Sequence, residues 1–440
     1  SVTSRSGDEI RTKAILRLRN REVNVLFTVD LFNEGVDIPE VDCLLFLRPT
    51  ESSTVFLQQM GRGLRMSTGK TSCLILDFIG NQRREFRFDL RFRALFGGTR
   101  QQVLEQLETG VTRLPGNCYF RLDKESQQAI LENLKARLTG GRKRMLAEID
   151  SWRVAHGRLP RLAEFLEETQ YDLEDIYKPS VGGWGGLLHD SADSMRFRYI
   201  LHVDSHSRLQ FYEDVLRSGW PRGMGVGQER EALMLTFRLL QAKAKDEGVS
   251  WRSGLEWICT SDLARQEMLE LIEALRGRMR KHVEERPVRP EWPLYLHRKY
   301  AREEILTAVG YQVIGKASAH REGVLWLKDV GTELLFVTLE KGEKQYSPST
   351  RYEDFAVSPT RFHWQSQSTV RESSATGLRY RNPGAQFLLF VRPRKGDAFT
   401  FLGPVRYASH MGNRPMSIYW DLEYPMPSAI FEQFASLRAA

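Results

Sequence analysis

Cysteine is scarce in this sequence, and the four present, Cys43, Cys73, Cys118 and Cys259, lie far apart with no C-x-x-C pair. That spacing excludes a zinc site built on cysteine pairs, argues against a disulfide framework and fits a reducing cytoplasm. No apolar run approaches the ~20 residues of a membrane-spanning helix. The opening SVTSRSGDEIRTK has no apolar signal-peptide core, so no membrane partner is expected. The initiator Met is also missing, which predicts a fragment or a processed chain. Internal repeats and low-complexity tracts are absent. Charge of one sign is only slightly in excess: 64 Lys and Arg face 56 Asp and Glu, a formal +8. Such a balance permits a polyanionic partner without demanding one. No G-x-x-x-x-G-K-[ST] loop and no D-E-x-H or D-E-x-D box occurs, so the chain has neither a phosphate cradle nor the usual carboxylates for Mg2+.

What is present suits a folded protein. Hydrophobic residues make up 41% of 440, enough for packed cores in roughly two to four domains. Residues 8–20 read as an amphipathic helix, with Ile10, Ala14, Ile15 and Leu18 at helical spacing. Short apolar runs at Val23–Thr28, Cys43–Leu47 and Ser72–Asp77 read as buried strands, with a helix over Ser53–Leu64 between the last two. Strands alternating with helices predict an α/β unit over residues 1–100, its parallel sheet covered on both faces. Residues 101–290 read as helical, with helices over 101–109, 124–139, 143–155, 161–169, 206–218, 228–246 and 261–284. Pro160 suits the first turn of its helix, and a loop around Gly182 to Gly186 leads into a short helix at Trp184. The proline-rich Arg286–Pro293 reads as a linker. Residues 294–440 read as a β-rich α+β domain. One helix is expected at 300–309, strands at 324–328, 333–339, 386–392, 399–402, 405–408 and 417–420, and a closing helix at 428–437.

The chemistry concentrates in two stretches: Thr28-Val-Asp-Leu-Phe-Asn-Glu-Gly35-Val-Asp37-Ile-Pro39 and Gln58-Gln-Met-Gly61-Arg62-Gly-Leu-Arg65. Thr28 ends an expected strand, and ligands of open α/β sheets bind outside the carboxyl ends of the strands. Gly35 permits close backbone approach, and the Asp37 carboxylate can accept from ribose hydroxyls. Arg62 and Arg65 are three apart, on one face if helical. Two guanidinium forks aimed one way suit a γ-phosphate. In phosphoryl transfer such an arginine finger is worth roughly 10³–10⁵ in rate.

These stretches resemble motifs V and VI of superfamily 2 helicases. Gly35-Val-Asp37 matches the core of motif V, and Gln58-x-x-Gly61-Arg62-x-x-Arg65 matches motif VI without departure. The resemblance covers residues 1–95 and implies the second RecA-like half of a nucleic-acid-dependent ATPase. It implies that Gly35 and Asp37 face the nucleotide, that Arg62 and Arg65 reach its γ-phosphate, that Gln58 couples the cleft to the core, and that Thr28 lies near the nucleic-acid backbone. The cofactors implied are ATP and Mg2+, the latter held by a missing first RecA-like half; no metal ligands are expected in this chain.

Weaker signals follow. Residues 143–190 read as helix–turn–helix-like, with Arg142, Lys143 and Arg144 placed to contact phosphates; the alternative is an ordinary bundle with Trp152, Leu162 and Phe165 in its core. Arg276–His282 is a second basic run, at a helix C-terminus where cations are favoured anyway. In Arg361-Phe-His363-Trp364-Gln-Ser-Gln367, His363 and Trp364 are candidates to stack on unpaired bases. The alternative makes Phe355, Phe362 and Trp364 core residues around a buried His363. Residues 294–440 resemble the uncharacterised C-terminal domain of bacterial phospholipase-D-like/DEAD-type helicases through LHRKYAREEIL, YSPSTRYEDFAVS, FHWQSQS and LLFVRP. Together these readings predict the C-terminal part of an ATP-driven DNA helicase or translocase that is not an ATPase by itself. Two alternatives stand beside it: a non-catalytic nucleic-acid binder with a vestigial core, and a nuclease centred on Glu333 and Glu340.

Overall fold

The chain opens with α1 (Asp8–Arg19), and the apolar runs beyond it pair as parallel strands in this computed structural model. The structure describes residues 8–28, 38–47, 53–78, 88–96, 100–109, 113–114, 118–138, 141–169, 171–241, 250–279, 285, 287–312, 320, 322–340 and 354–436. β1 (Cys43–Phe46) and β2 (Leu74–Asp77) run in register from Cys43↔Leu74 to Phe46↔Asp77, joined through α2 (Ser53–Gly63). The expected strand over Val23–Thr28 is reduced to an isolated bridge at Thr28. The pair is also not covered on both faces: Leu45 and Leu74 are 44% and 56% exposed. Among the described residues β1 and β2 pair only with each other.

Farther along, α3 (Phe88–Phe96), α4 (Arg100–Thr109), the short antiparallel pair β3 (Arg113–Leu114) and β4 (Cys118–Tyr119), and α5 (Lys124–Leu138) complete the first compact unit, Ser1–Gly140. Phe88, Phe92, Val103, Leu104, Leu107, Ile130 and Leu134 recur at helical spacing and form its main core.

The second unit spans Gly141–Ala440. It begins with α6 (Gly141–His156), α7 (Leu162–Thr169), α8 (Leu173–Ile176) and α9 (Trp184–His189). A 3₁₀ helix (Ala192–Ile200) follows, then α10 (His206–Ser218), α11 (Val226–Leu240), α12 (Trp251–Thr260) and α13 (Asp262–Gly277). Pro160 precedes the first turn of α7 rather than entering it. The Arg161 carbonyl accepts from the Phe165 N–H, and Glu164 reaches back to the Arg161 N–H. Two carboxylates of α13 organise these helices: Glu270 accepts from the Leu162 N–H and the Trp184 indole N–H, and Glu267 accepts from Tyr177 Oη. Negative charge at the starts of α7 and α9 meets the positive ends of their dipoles.

The proline-rich stretch is not an open linker. It folds as a hairpin of β5 (Pro287–Arg289) and β6 (Trp292–Tyr295), with Trp292 and Leu294 buried against Met234 of α11. Beyond it lie β7 (Lys299–Tyr300), α14 (Arg302–Ala308), β8 (Val324–Leu327), β9 (Thr332–Thr338), β10 (Phe355–Ser358), β11 (Arg361–Gln365), α15 (Ala375–Tyr380), β12 (Gln386–Arg392), β13 (Phe399–Met411), β14 (Ser417–Leu422) and α16 (Ser428–Ser436). The sheet runs β10-β11-β14-β13-β12-β9-β8 with β7 on β13, antiparallel except for β9 beside β12. Period-two alternation divides its central strands between two cores. Leu334, Phe336, Leu388 and Phe390 face Ile305 and Leu306 of α14. Leu335, Val337, Phe387 and Leu389 face the other way, with Tyr380 and Phe434.

A buried polar cluster joins helices to sheet. Arg208 of α10 and Glu304 of α14 are both fully buried and 2.6 Å apart, and His202 Nε2 lies 2.6 Å from the second Glu304 oxygen. Burial alone would raise the Glu304 pKa, but the Arg208 and His202 charges hold it well below the usual carboxylate range.

Candidate functional site

Helix α2 carries the second motif. Its inner face buries Phe56, which meets the Phe46 ring edge-on at 5.8 Å and lies 4.1 Å beneath the Arg91 guanidinium. Arg91 is itself buried and paired with Asp77 at the end of β2. Burial raises the Asp77 pKa and lowers that of Arg91, and each is pulled back by the other. At the far end of α2, Gly63 has no alternative. A Cβ there would sit 2.6 Å from Cys73 Sγ and 2.8 Å from Leu44 Cδ1. Gly61 meets nothing within 4 Å and carries no such demand.

Gln58 is exposed on α2, Arg62 is half-buried in its last turn, and Arg65 is exposed beyond it. The helix ends at Gly63, so Arg62 and Arg65 do not share a helical face. Leu44 and Cys73, against which Gly63 packs, stand at the starts of β1 and β2. A helix connecting two parallel strands must run back along them, so its C-terminus returns to their amino ends. The arginine-bearing segment therefore lies at the amino edge, not the carboxyl edge.

What fixes that segment is a residue absent from the sequence reading. Lys70 Nζ donates to the carbonyls of Gly63 at 2.6 Å, Pro39 at 2.9 Å and Arg65 at 3.1 Å. Pro39 closes the first motif, so its end and that of the second share one ammonium. Its only local signal was a glycine turn, with Gly69 at φ +82. Gly35 and Asp37 lie outside the described residues; Thr28 is exposed.

The nucleic-acid candidates separate on inspection. Arg142 donates to the carbonyls of Val181 (2.7 Å) and Gly186 (2.8 Å) and to Asp190 Oδ1 (2.7 Å), tying the start of α6 to α9. Lys143 is exposed, and Arg144, also exposed, reaches Glu148 at 3.2 Å. His363 and Trp364 occupy opposite faces of β11. Trp364 packs with Tyr380 and Trp420 in the core, while His363 stacks on Phe355 (4.6 Å) and meets Tyr419 edge-on (5.0 Å). Both are 95% buried, so neither offers an open ring face. Glu333 is buried and held bidentately by Arg379 at 2.7 and 3.1 Å, and Glu340 pairs with Arg394. Among the described residues no group of three His, Cys, Asp or Glu side chains could hold a metal ion, and no helix is long and apolar enough to cross a membrane.

Residues 1–67 match the family model of the helicase conserved C-terminal domain, and residues 294–434 match a domain of unknown function (DUF3427). The chain is similar to "Putative ATP-dependent helicase IRC3" of Saccharomyces cerevisiae, 43% identical over 79 residues, 18% of this chain and 12% of the relative. It is similar to the pre-mRNA-splicing ATP-dependent RNA helicase PRP28 of Cryptococcus neoformans, 34% identical over 92 residues, 20% of this chain and 12% of the relative. UvrABC system protein B of Helicobacter hepaticus is 26% identical over 147 residues, 29% of this chain and 22% of that protein. The chain thus aligns with well under two thirds of each of these relatives.

Proposed function

We propose, for a chain that opens on a superfamily 2 helicase C-terminal domain and whose relatives are ATP-dependent helicases, that it forms the C-terminal portion of an ATP-driven DNA helicase or translocase. In this reading Arg62 and Arg65 reach the γ-phosphate of an ATP whose phosphates are cradled by a separate phosphate-loop half, absent from these 440 residues. Gly35 and Asp37 face the same nucleotide, Gln58 couples that cleft to the core, and Thr28 lies near the nucleic-acid backbone. Mg2+ is assigned in this reading to the other half. The observation that carries the reading is the shared Lys70 ammonium, which places the end of Gly35-Val-Asp37-Ile-Pro39 against the end of Arg62-Gly-Leu-Arg65. Lys143 and Arg144 are the exposed cations assigned to nucleic-acid phosphates; DNA is our choice over RNA, and the dispersed cysteines suit work in the cytoplasm.

Two measurements test this. The isolated chain releases no phosphate from ATP, with or without DNA; measurable release by the chain alone refutes the proposal. In an ATPase that joins the chain to a phosphate-loop half, Arg65→Ala lowers turnover by roughly a thousandfold or more and leaves DNA affinity near wild type. Unchanged turnover counts against the role given to Arg65.

A further inference from the structure

Lys70 lies outside both motifs, yet its ammonium is saturated. Its three N–H donors have three carbonyl acceptors, Gly63 at 2.6 Å, Pro39 at 2.9 Å and Arg65 at 3.1 Å. Two of these acceptors lie at the C-terminal end of α2, where carbonyls lack intrahelical partners and the dipole favours a cation. The third belongs to the strand-entry segment 31 residues away in sequence. The turn that delivers the side chain is set by Gly69 at φ +82 and by the bond from the Lys70 N–H to the Ser67 carbonyl at 3.1 Å. Gly69-Lys70-Thr71 repeats the last three residues of a phosphate loop, but Leu64 stands where that motif needs its first glycine. With every donor taken by backbone, Lys70 is not placed to grip a phosphate itself.

We propose that Lys70 is a positioning residue for ATP hydrolysis. It fixes the Pro39 segment relative to the segment bearing Arg62 and Arg65, so that the two guanidinium groups address the nucleotide in a single geometry. The inference rests on the role assigned above to Arg65. A helix end with no tie to the Pro39 segment would leave the arginine-bearing turn free to shift, and a misplacement of about 1 Å at a catalytic group can cost about a hundredfold in rate.

The test is a double-mutant cycle in the ATPase that contains both halves. Lys70→Met keeps the aliphatic stem and removes the donors. It lowers kcat by about 10- to 100-fold with KM for ATP and DNA affinity nearly unchanged, and Lys70→Arg recovers part of the loss. In an Arg62→Ala/Arg65→Ala background the Lys70 substitution lowers kcat no further, because the groups it positions are gone. Wild-type kcat for Lys70→Met, alongside a slow Arg65→Ala, overturns the inference and leaves the arginine reading intact. Equal fold losses in both backgrounds also overturn it, since they mark general damage to the fold. Wild-type turnover for Arg65→Ala takes both proposals down. If Lys70→Met does not fold, the same cycle run with Lys70→Arg gives the same discrimination.

Discussion

Arginine does different work at the end of α2 and in the second unit. In the first, Arg62 lies in the last turn of α2 and Arg65 just beyond it, in a segment whose Gly63 and Arg65 carbonyls accept from Lys70. In the second, Arg208 is fully buried against Glu304, Arg379 is clamped on Glu333, and Arg142 is used by two carbonyls and Asp190. The first unit is rich in recognisable motifs and partly exposed along its strands; the second has three packed cores and several buried ion pairs but no motif with assigned chemistry. A guanidinium with all its neighbours in place ties elements of the fold together.

The contrast can be broken most sharply at Arg208. Arg208→Ala leaves the buried Glu304 carboxylate with only His202 and backbone partners. It should cost about 3–5 kcal/mol of unfolding free energy in denaturant titrations of the whole chain. A loss below 1 kcal/mol would mean that the pair does not join helices to sheet.

Glu231 gives the next largest effect. Its burial on α11 pushes its pKa up from 4.5 to about 7, against the Arg208 charge and with help from Glu285. The folded protein then keeps a proton that the unfolded chain loses, so stability falls as pH rises from about 4.5 through about 7. Glu231→Gln should abolish that slope and raise stability at pH 8 by up to about 3 kcal/mol. Denaturation midpoints between pH 4 and pH 8 decide it: a variant with an unchanged slope contradicts the assignment.

A smaller effect tests the first unit. Gly63→Ala drives a Cβ into Cys73 and Leu44 and should cost about 1–3 kcal/mol. Gly61→Ala, with open space around it, should be neutral or stabilise α2 by about 1 kcal/mol. Equal effects in thermal unfolding would show that α2 does not pack on the strands at Gly63. The smallest effect separates the basic cluster: Lys143→Ala and Arg144→Ala should each lower the salt slope of DNA binding by about 1, while Arg142→Ala acts on folding. A salt slope that moves only with Arg142 would reverse that division.

Much of the architecture was legible because local pattern and fold agreed. The helix over 206–218 and the strand over 386–392 appear with the bounds read from sequence. The failures have specific causes. The expected strands at 399–402 and 405–408 form one strand, β13. Gly403 at φ +89 and Pro404 mark a bulge within the ladder rather than a break, and a Cβ at 403 would meet Leu296 at 2.4 Å. Helix α12 went unread, though Ser250 and Ser253 cap it reciprocally. His363 and Trp364 looked like a base-stacking pair; strand alternation sends one into the core and the other between Phe355 and Tyr419, close to the alternative drawn from the same residues. Lys70 and Arg208 were invisible because the Pro39 carbonyl lies 31 residues from the first and Glu304 lies 96 from the second. The motif residues Arg62 and Arg65 were legible, but the edge of the sheet they occupy followed only from the direction of α2.

The most direct test of the central claim replaces the shape of one cation while keeping its charge. Arg65→Lys, measured by single-turnover ATP hydrolysis in the ATPase with both halves, should lose most of the rate that Arg65→Ala loses, because an ammonium does not reproduce a planar guanidinium fork on phosphate oxygens. Near-wild-type hydrolysis by Arg65→Lys would contradict the account.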